Sequence, residues 1–390
     1  MTSAGNLKIL LLAHDLSDAA IQRRIAMLRA GGASVTAAGF RRTSEPIVTI
    51  DGSAAIDFGR THNAGFLQRI AVVIGTILFL NKHRALFADA DIIIARNLEM
   101  LAIGARGRNF RHPAAILVYE CLDIHRLLLR RDMIGSALRT LEGWLAKRAS
   151  ALITSSLAFV SGYFESLSKV RLPVRLVENK VLDTGNLFPD QIKARPSGPP
   201  WVIGWFGIIR CKQSLQILKE LIKRSNGAVE VIIRGRPAPD LFANFAAEIG
   251  NIPGMRFHGA YNSPGDLAAI YRNIHFNWVI DLFEQDLNSS WLLPNRLYEG
   301  GLFGAVPIAT SSVESGRFLK QLGVGVTLEE PLGRSLADFF AGLTPTRYGE
   351  LEQAVSNVPR STWIYDQNDC TALVDYLRTL GRRRQWLNQR

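Results

Sequence analysis

Ser289-Ser290-Trp291-Leu292-Leu293-Pro294-Asn295-Arg296-Leu297-Tyr298-Glu299-Gly300-Gly301-Leu302-Phe303-Gly304-Ala305-Val306-Pro307-Ile308-Ala309 is the most telling stretch of this chain. Its pattern predicts a polar loop, a short helix carrying Arg296 and Glu299, a glycine-bearing end and a buried strand. Such a helix brings its first backbone N–H groups, one cation and one carboxylate to one place. A nucleoside diphosphate needs those groups: donors and a cation for the phosphates, a carboxylate for the ribose hydroxyls.

Working outward, strands and helices alternate on both sides of this stretch. Upstream of it, 201–206, 229–234, 255–258 and 276–280 read as strands, with helices at 213–224, 241–249 and 267–273 between them. The first half repeats the pattern. Residues 7–13 form a strand, and 18–30 form a helix with Ile21, Ile25 and Leu28 on one face. Further strands follow at 34–39, 91–95, 114–120, 151–155 and 174–177, with a helix at 141–149. Strands alternating with helices imply an α/β fold with parallel sheets covered on both faces. Pro196, Ser197, Gly198 and Pro199 mark a linker over 189–200. The expected domains are therefore 1–188 and 201–364, with a terminal helix and basic tail over 365–390.

A chain of 390 residues is too long for one ordinary core, in agreement with two domains. Three widely spaced cysteines, Cys121, Cys211 and Cys370, give neither a disulfide framework nor a zinc pattern, and fit a reducing compartment. The N-terminus lacks the basic region of a signal peptide, so a cytoplasmic location is expected. The net charge is +12, most of it carried by the first half. No nucleic-acid module is recognisable, which leaves an anionic membrane surface as the partner for that charge. The apolar stretch 70–80, flanked by Arg69, Lys82 and Arg84, is too short to span a bilayer. It reads either as a buried helix or as an interfacial one with its cations on headgroups. The tail from Arg382 to Leu387 has similar chemistry, or is simply solvated.

Candidate chemistry lies at the carboxyl ends of the strands, where doubly wound domains bind ligands. The first loop offers His14 and Asp15, with Arg23 and Arg24 on the following helix, as acceptor-binding candidates; one of these arginines would meet an acceptor phosphate. There is no G-x-G-x-x-G. After the strand ending near Glu120 come Asp123 and His125. A carboxylate or imidazole at the carboxyl end of a strand is placed to act as a general base, for which Asp123 is preferred and His125 is second. Asp123 is also a candidate N-cap for the next helix. Glu120 joins the acceptor group. In the second half Gly207 permits close backbone approach, while Arg210 and Lys212 neutralise a diphosphate. Asp281, Asn288, Ser289, Ser290 and Asn295 border the Arg296 and Glu299 helix.

These motifs, in this order, resemble the nucleotide-sugar site of GT-B glycosyltransferases, in which Pro-x-Lys/Arg-x-x-Glu precedes a Gly-x-x-Pro-Val/Ile strand. The run Gly207 to Lys212 resembles the Gly-x-x-x-x-Lys loop of that family. His14-Asp15, Arg23-Arg24 and Val118-Tyr119 followed by Asp123 resemble the inverting glucuronosyltransferase of xanthan assembly, where the Asp acts as base. Over most of its length the chain is similar to bacterial exopolysaccharide transferases of the succinoglycan type. The resemblance implies two Rossmann-like domains facing a central cleft, with the C-terminal helix crossing back to the first. It places Arg234-Gly235-Arg236 where the family has Gly-x-Gly, with Arg234 or Arg236 facing the nucleotide, and His258 and Tyr261 near the base. It also implies a UDP-sugar donor and a polyprenyl-diphosphate-linked saccharide acceptor at the inner face of the plasma membrane. The retaining members carry Glu, seven residues, Glu; here the first position holds Trp291, which favours inversion. No Asp-x-Asp motif stands out, so a divalent metal is not expected to be essential. Competing readings are a sugar-nucleotide epimerase of the same fold and a non-catalytic nucleotide-sugar-binding subunit.

Overall fold

The computed structural model describes residues 6–61, 66–111, 113–188 and 197–387, and for 66–69 and 382–387 the backbone alone. Most of the expected linker, at 189–196, and the side chains of the tail from 382 lie outside the described residues. The chain divides into two compact units, Met1–Glu178 with Tyr365–Arg390, and Asn179–Ile364.

The first unit contains β1 (Leu7–Ala13), α1 (Ala19–Ala30), β2 (Ala33–Arg41), β3 (Thr49–Ile50), β4 (Ser53–Arg60) and α2 (Phe66–Leu78). It continues through β5 (Ile92–Arg96), α3 (Asn97–Gly107), β6 (Ile116–Cys121), α4 (Arg126–Leu129), α5 (Met133–Ala146), β7 (Ala149–Thr154) and β8 (Val174–Leu176). The sheet runs β3-β4-β2-β1-β5-β6-β7-β8 and is parallel except where β3 folds back antiparallel on β4. Leu11, Leu12, Ile93, Ile94, Leu117 and Val118 are fully buried, as central strands covered on both faces must be. The chain leaves β1 toward β2, then returns to its other side at β5. The gap between the ends of β1 and β5 is the topological switch point, where such sheets bind ligands.

The second unit contains β9 (Val181–Leu182), β10 (Trp201–Ile209), α6 (Lys212–Arg224), β11 (Val229–Pro237), β12 (Met255–Phe257) and β13 (Phe276–Trp278). It ends in α7 (Asn288–Trp291), α8 (Asn295–Leu302), β14 (Val306–Thr310) and β15 (Val326–Leu328), followed by further helices. Its parallel sheet runs β12-β11-β10-β13-β14-β15, so its switch point lies between β10 and β13. Trp205, Phe276 and Trp278 fill the core around it. The last helix, α9 (Gln367–Leu387), belongs to the first unit. Gln367 Nε2 donates to the Ala30 carbonyl at 2.5 Å. Gly31 permits the contact, because a Cβ there would lie 2.3 Å from the Cys370 carbonyl oxygen.

Some boundaries differ from those the sequence predicts, and the caps explain why. The helix expected at 141–149 starts at Met133, because Asp132 Oδ1 accepts from the Gly135 N–H at 3.0 Å. The helix expected at 241–249 starts at Phe245, capped by Asn244. The apolar stretch 70–80 is neither wholly buried nor wholly open. Leu80 is buried, whereas Ile74, Leu78 and Phe79 are exposed. Among the described residues no single helix is long and apolar enough to cross a membrane.

Candidate active site

At the second unit's switch point, the residues following β10 and β13 meet. Arg210 donates to Asp281 Oδ2 at 3.0 Å and lies 5.0 Å over the Phe283 ring. Burial pushes the Asp281 carboxyl up, but the Arg210 and Arg296 guanidiniums outweigh it and hold the group below the usual range. Asp281 is therefore an anion at neutral pH, and it anchors Arg210 at the sheet end.

Arg296, on α8, is tied to the same place. Its guanidinium donates to the carbonyls of Val279 and Ile280, both at 3.0 Å. Its Nε is buried without a hydrogen-bond partner. Burial lowers its pKa, with Asp281 opposing. One turn on, Glu299 is only 7% exposed and accepts from the Tyr271 hydroxyl at 2.8 Å. Burial, followed by the charge of Glu299, raises the hydroxyl pKa of Tyr261 and of Tyr271. Arg210, Asp281, Arg296, Glu299, Tyr261 and Tyr271 thus form one electrostatically linked group. A small cavity of about 160 Å³ adjoins it, lined by Asp281, Ser289, Ser290 and Thr310.

Gly207 and Gly235 pair across β10 and β11, both with positive φ, at 110° and 138°. A Cβ on Gly235 would lie 1.7 Å from the Gly207 carbonyl oxygen, so the strand ends can approach only with glycine there. Gly235→Ala is expected to destabilise the second unit by at least about 1–3 kcal/mol, the cost of a side chain in that backbone region. A thermal melt of the variant checks this.

The other donor candidates are not among these linked residues, although Ser290 lines the adjoining cavity with Asp281. Lys212 opens α6 as an exposed residue, 6.0 Å over the Phe242 ring. His258 is exposed and Arg234 half-buried. Asn295 is the exposed first residue of α8, and Ser290 is half-buried on α7. Asp281 and Tyr271 are the residues whose part was undervalued by sequence. Asp281 had a signal, being polar just past a buried strand; Tyr271 had none.

In the first unit, the switch point holds His14, which follows β1, and Asn97, which opens α3. His14 Nδ1 lies 3.4 Å from Asn97 Nδ2, and Asn97 adopts φ 69°. Burial lowers the His14 pKa against the opposing charges of Asp18 and Glu99, so the imidazole is neutral near pH 7. Asp15 is 6% exposed. It accepts from the Ser17 N–H and hydroxyl at 3.0 and 2.6 Å, and pairs with Arg42 at 3.3 Å. It holds its own loop.

Two acceptor candidates are corrected outright. Glu120 is fully buried and Arg24 is 6% exposed. Arg24 Nε donates to Glu120 Oε1 at 2.7 Å, and Arg96 Nε donates to Oε2 at 2.6 Å. This is an interior ion cluster, sealed from any acceptor. Arg23 is half-buried on the same helix. The cap of α4 is His125, whose Nδ1 accepts from the Leu127 N–H at 3.3 Å, and not Asp123. Asp123 itself is exposed on the loop after β6. Among the described residues no group of three or more His, Cys, Asp or Glu side chains is placed to hold a metal ion.

Two sheets of this order, each with a switch-point site, and a C-terminal helix returned to the first unit define the GT-B fold of glycosyltransferases. Sucrose-phosphate synthase from Thermosynechococcus elongatus superposes with a TM-score of 0.70 at 12% identity, covering 99% of this chain and 100% of that one. Anabaena HepE in complex with UDP and glucose gives 0.68 at 14% identity, covering 96% and 100%. The sequence is 46% identical over 378 residues to the succinoglycan biosynthesis protein ExoL of Rhizobium meliloti (strain 1021), covering 96% of this chain and 94% of that protein. The chain belongs to the ExoL family. No family model matches it.

Proposed function

We propose that this glycosyltransferase moves a sugar from a UDP-sugar to a lipid-linked saccharide during assembly of a succinoglycan-type exopolysaccharide, by single displacement with Asp123 as base. The observation that carries the donor half is the Arg210–Asp281 pair at the switch point, next to Arg296 and Glu299 on one helix. Arg210 offers charge to a diphosphate and Glu299 offers a carboxylate to ribose hydroxyls. HepE, a relative in fold, has been seen with UDP-glucose, and ExoL is named for succinoglycan biosynthesis. Trp291, at the position of the missing glutamate, supports inversion. The exposed carboxylate of Asp123 suits a group that must meet an incoming hydroxyl, with His125 as second choice. The basic first half and the exposed apolar residues of α2 support a peripheral place on the inner face of the membrane.

The test is a donor screen with purified protein, membrane lipid extract from the producing strain and labelled UDP- and GDP-sugars. Label from a UDP-sugar is expected in the organic-soluble fraction. Epimerised donor without labelled lipid supports an epimerase instead. Donor binding without turnover supports a non-catalytic subunit.

A further inference from the structure

Glu299, the carboxylate proposed above to meet ribose hydroxyls, is held from two directions. Its backbone lies in α8, which is pressed onto β13. Asn277, fully buried in β13, donates through Nδ2 to the Arg296 carbonyl at 2.6 Å. The approach needs the two glycines after Glu299. A Cβ on Gly300 would collide with the Asn277 amide, and one on Gly301 would lie 2.6 Å from the Trp363 ring. This hold fixes where the Glu299 side chain starts and leaves its torsions open.

The second hold is Tyr271, at the end of the short helix Leu267–Tyr271. Its hydroxyl donates to Glu299 Oε2 at 2.8 Å. Tyr271 is fully buried, and its ring packs edge-on against Phe206 at 5.0 Å and stacks with Phe303 at 6.0 Å. Burial, followed by the charge of Glu299, raises the hydroxyl pKa, so the proton stays on Tyr271 and the hydroxyl remains a donor. A ring seated among close-packed aromatic neighbours keeps its hydroxyl in one place, and a carboxylate bonded to that hydroxyl keeps one orientation. Orientation matters to a diol, because hydrogen bonds weaken steeply away from linearity and a loose side chain must surrender its freedom on binding. A carboxylate has about four acceptor sites, so the bond to Tyr271 orients Glu299 without exhausting it.

We infer that Tyr271 is a positioning residue that sets the Glu299 carboxylate for the vicinal hydroxyls of the donor ribose. Sealed in the core, Tyr271 acts on the nucleotide only through Glu299. The inference rests on the donor reading above and adds what makes Glu299 selective.

The test titrates the full chain calorimetrically with UDP and with 2′,3′-dideoxyuridine diphosphate, which lacks both hydroxyls. The wild-type protein is expected to bind UDP about tenfold or more tightly than the dideoxy analogue, as hydrogen bonds to a charged group imply. Tyr271→Phe keeps the ring and its packing but loses the donor. Its UDP affinity should fall by about tenfold while its affinity for the analogue is unchanged, so the preference for ribose disappears. A residue that only supports the fold would weaken both ligands alike and leave the preference intact. That result, or an unchanged UDP affinity, overturns the inference. A thermal melt checks folding. If Tyr271→Phe melts early, Phe303→Leu, which unseats the ring but keeps the hydroxyl, should reduce the same preference, and a full preference in that variant overturns the inference. The donor reading fails separately, and takes the inference with it, if the wild-type protein binds no UDP or binds both ligands equally. A wild type that prefers UDP, with a folded variant that keeps the preference, removes Tyr271 alone. None of these readouts requires sugar transfer.

Discussion

Asp123→Asn is expected to lower kcat for sugar transfer by about 10²–10⁴-fold, the usual contribution of a general base, while donor affinity is unchanged. The acceptor hydroxyl must lose its proton as its oxygen bonds to the anomeric carbon. The substituted amide would keep the size of the side chain and its ability to hydrogen-bond to the loop, but would accept no proton. The proposed donor-binding residues Arg210 and Asp281 follow β10 and β13, and Arg296 and Glu299 lie on α8, all in the second unit, so UDP binding by calorimetry should match wild type. Turnover with a saturating UDP-sugar separates the two effects. A fall in donor affinity with kcat preserved would remove Asp123 from the base role. An analogous His125→Gln variant should lose less, because the capping Nδ1 of His125 already accepts from the backbone.

Glu120→Gln is expected to cost about 3–5 kcal/mol, the penalty for leaving buried charge uncompensated. Glutamine would fit the site but leave the guanidiniums of Arg24 and Arg96, 6% and 2% exposed, without their shared anion. For a unit of this size that amounts to roughly 6–20 °C in Tm. Burial alone would raise the Glu120 pKa, yet Arg96 and Arg24 more than offset it and leave the carboxyl below its ordinary value of 4.5. A lowered folded-state pKa means that the contribution is fully present above about pH 4.5 and is lost as pH falls through the lowered value. The wild-type protein should therefore lose stability in acid more steeply than the variant. Equal melting temperatures at pH 7 would show the cluster to be dispensable.

The alternation of strand and helix was legible because each buried parallel strand is a short apolar run and each covering helix has one apolar face. Both switch-point loops, at His14 and at Arg210, could be placed from that alone. The β3–β4 edge was not legible, because 53–60 is partly exposed and mixed in polarity. The start of α5 was hidden by exposed apolar residues, Met133 and Ile134, which blur the helical face.

Site chemistry was legible where it is local. Arg296 and Glu299 share one turn, and Asp281 closely follows its strand. It failed where the deciding partner is remote. A carboxylate at the end of a strand reads the same whether it faces solvent or two arginines, and Glu120 meets Arg24 from 96 residues away and Arg96 from 24. The capping of α4 by His125 instead of Asp123 depended on backbone geometry that residue types do not encode.

Single displacement is tested most directly by the anomeric configuration of the product. UDP-α-glucose, or whichever UDP-α-sugar the screen identifies, is incubated with wild-type protein and lipid-linked acceptor, and the new linkage is read by proton NMR. Inversion at the anomeric carbon predicts a β-linked product. An α-linked product would contradict displacement by a single hydroxyl activated at Asp123.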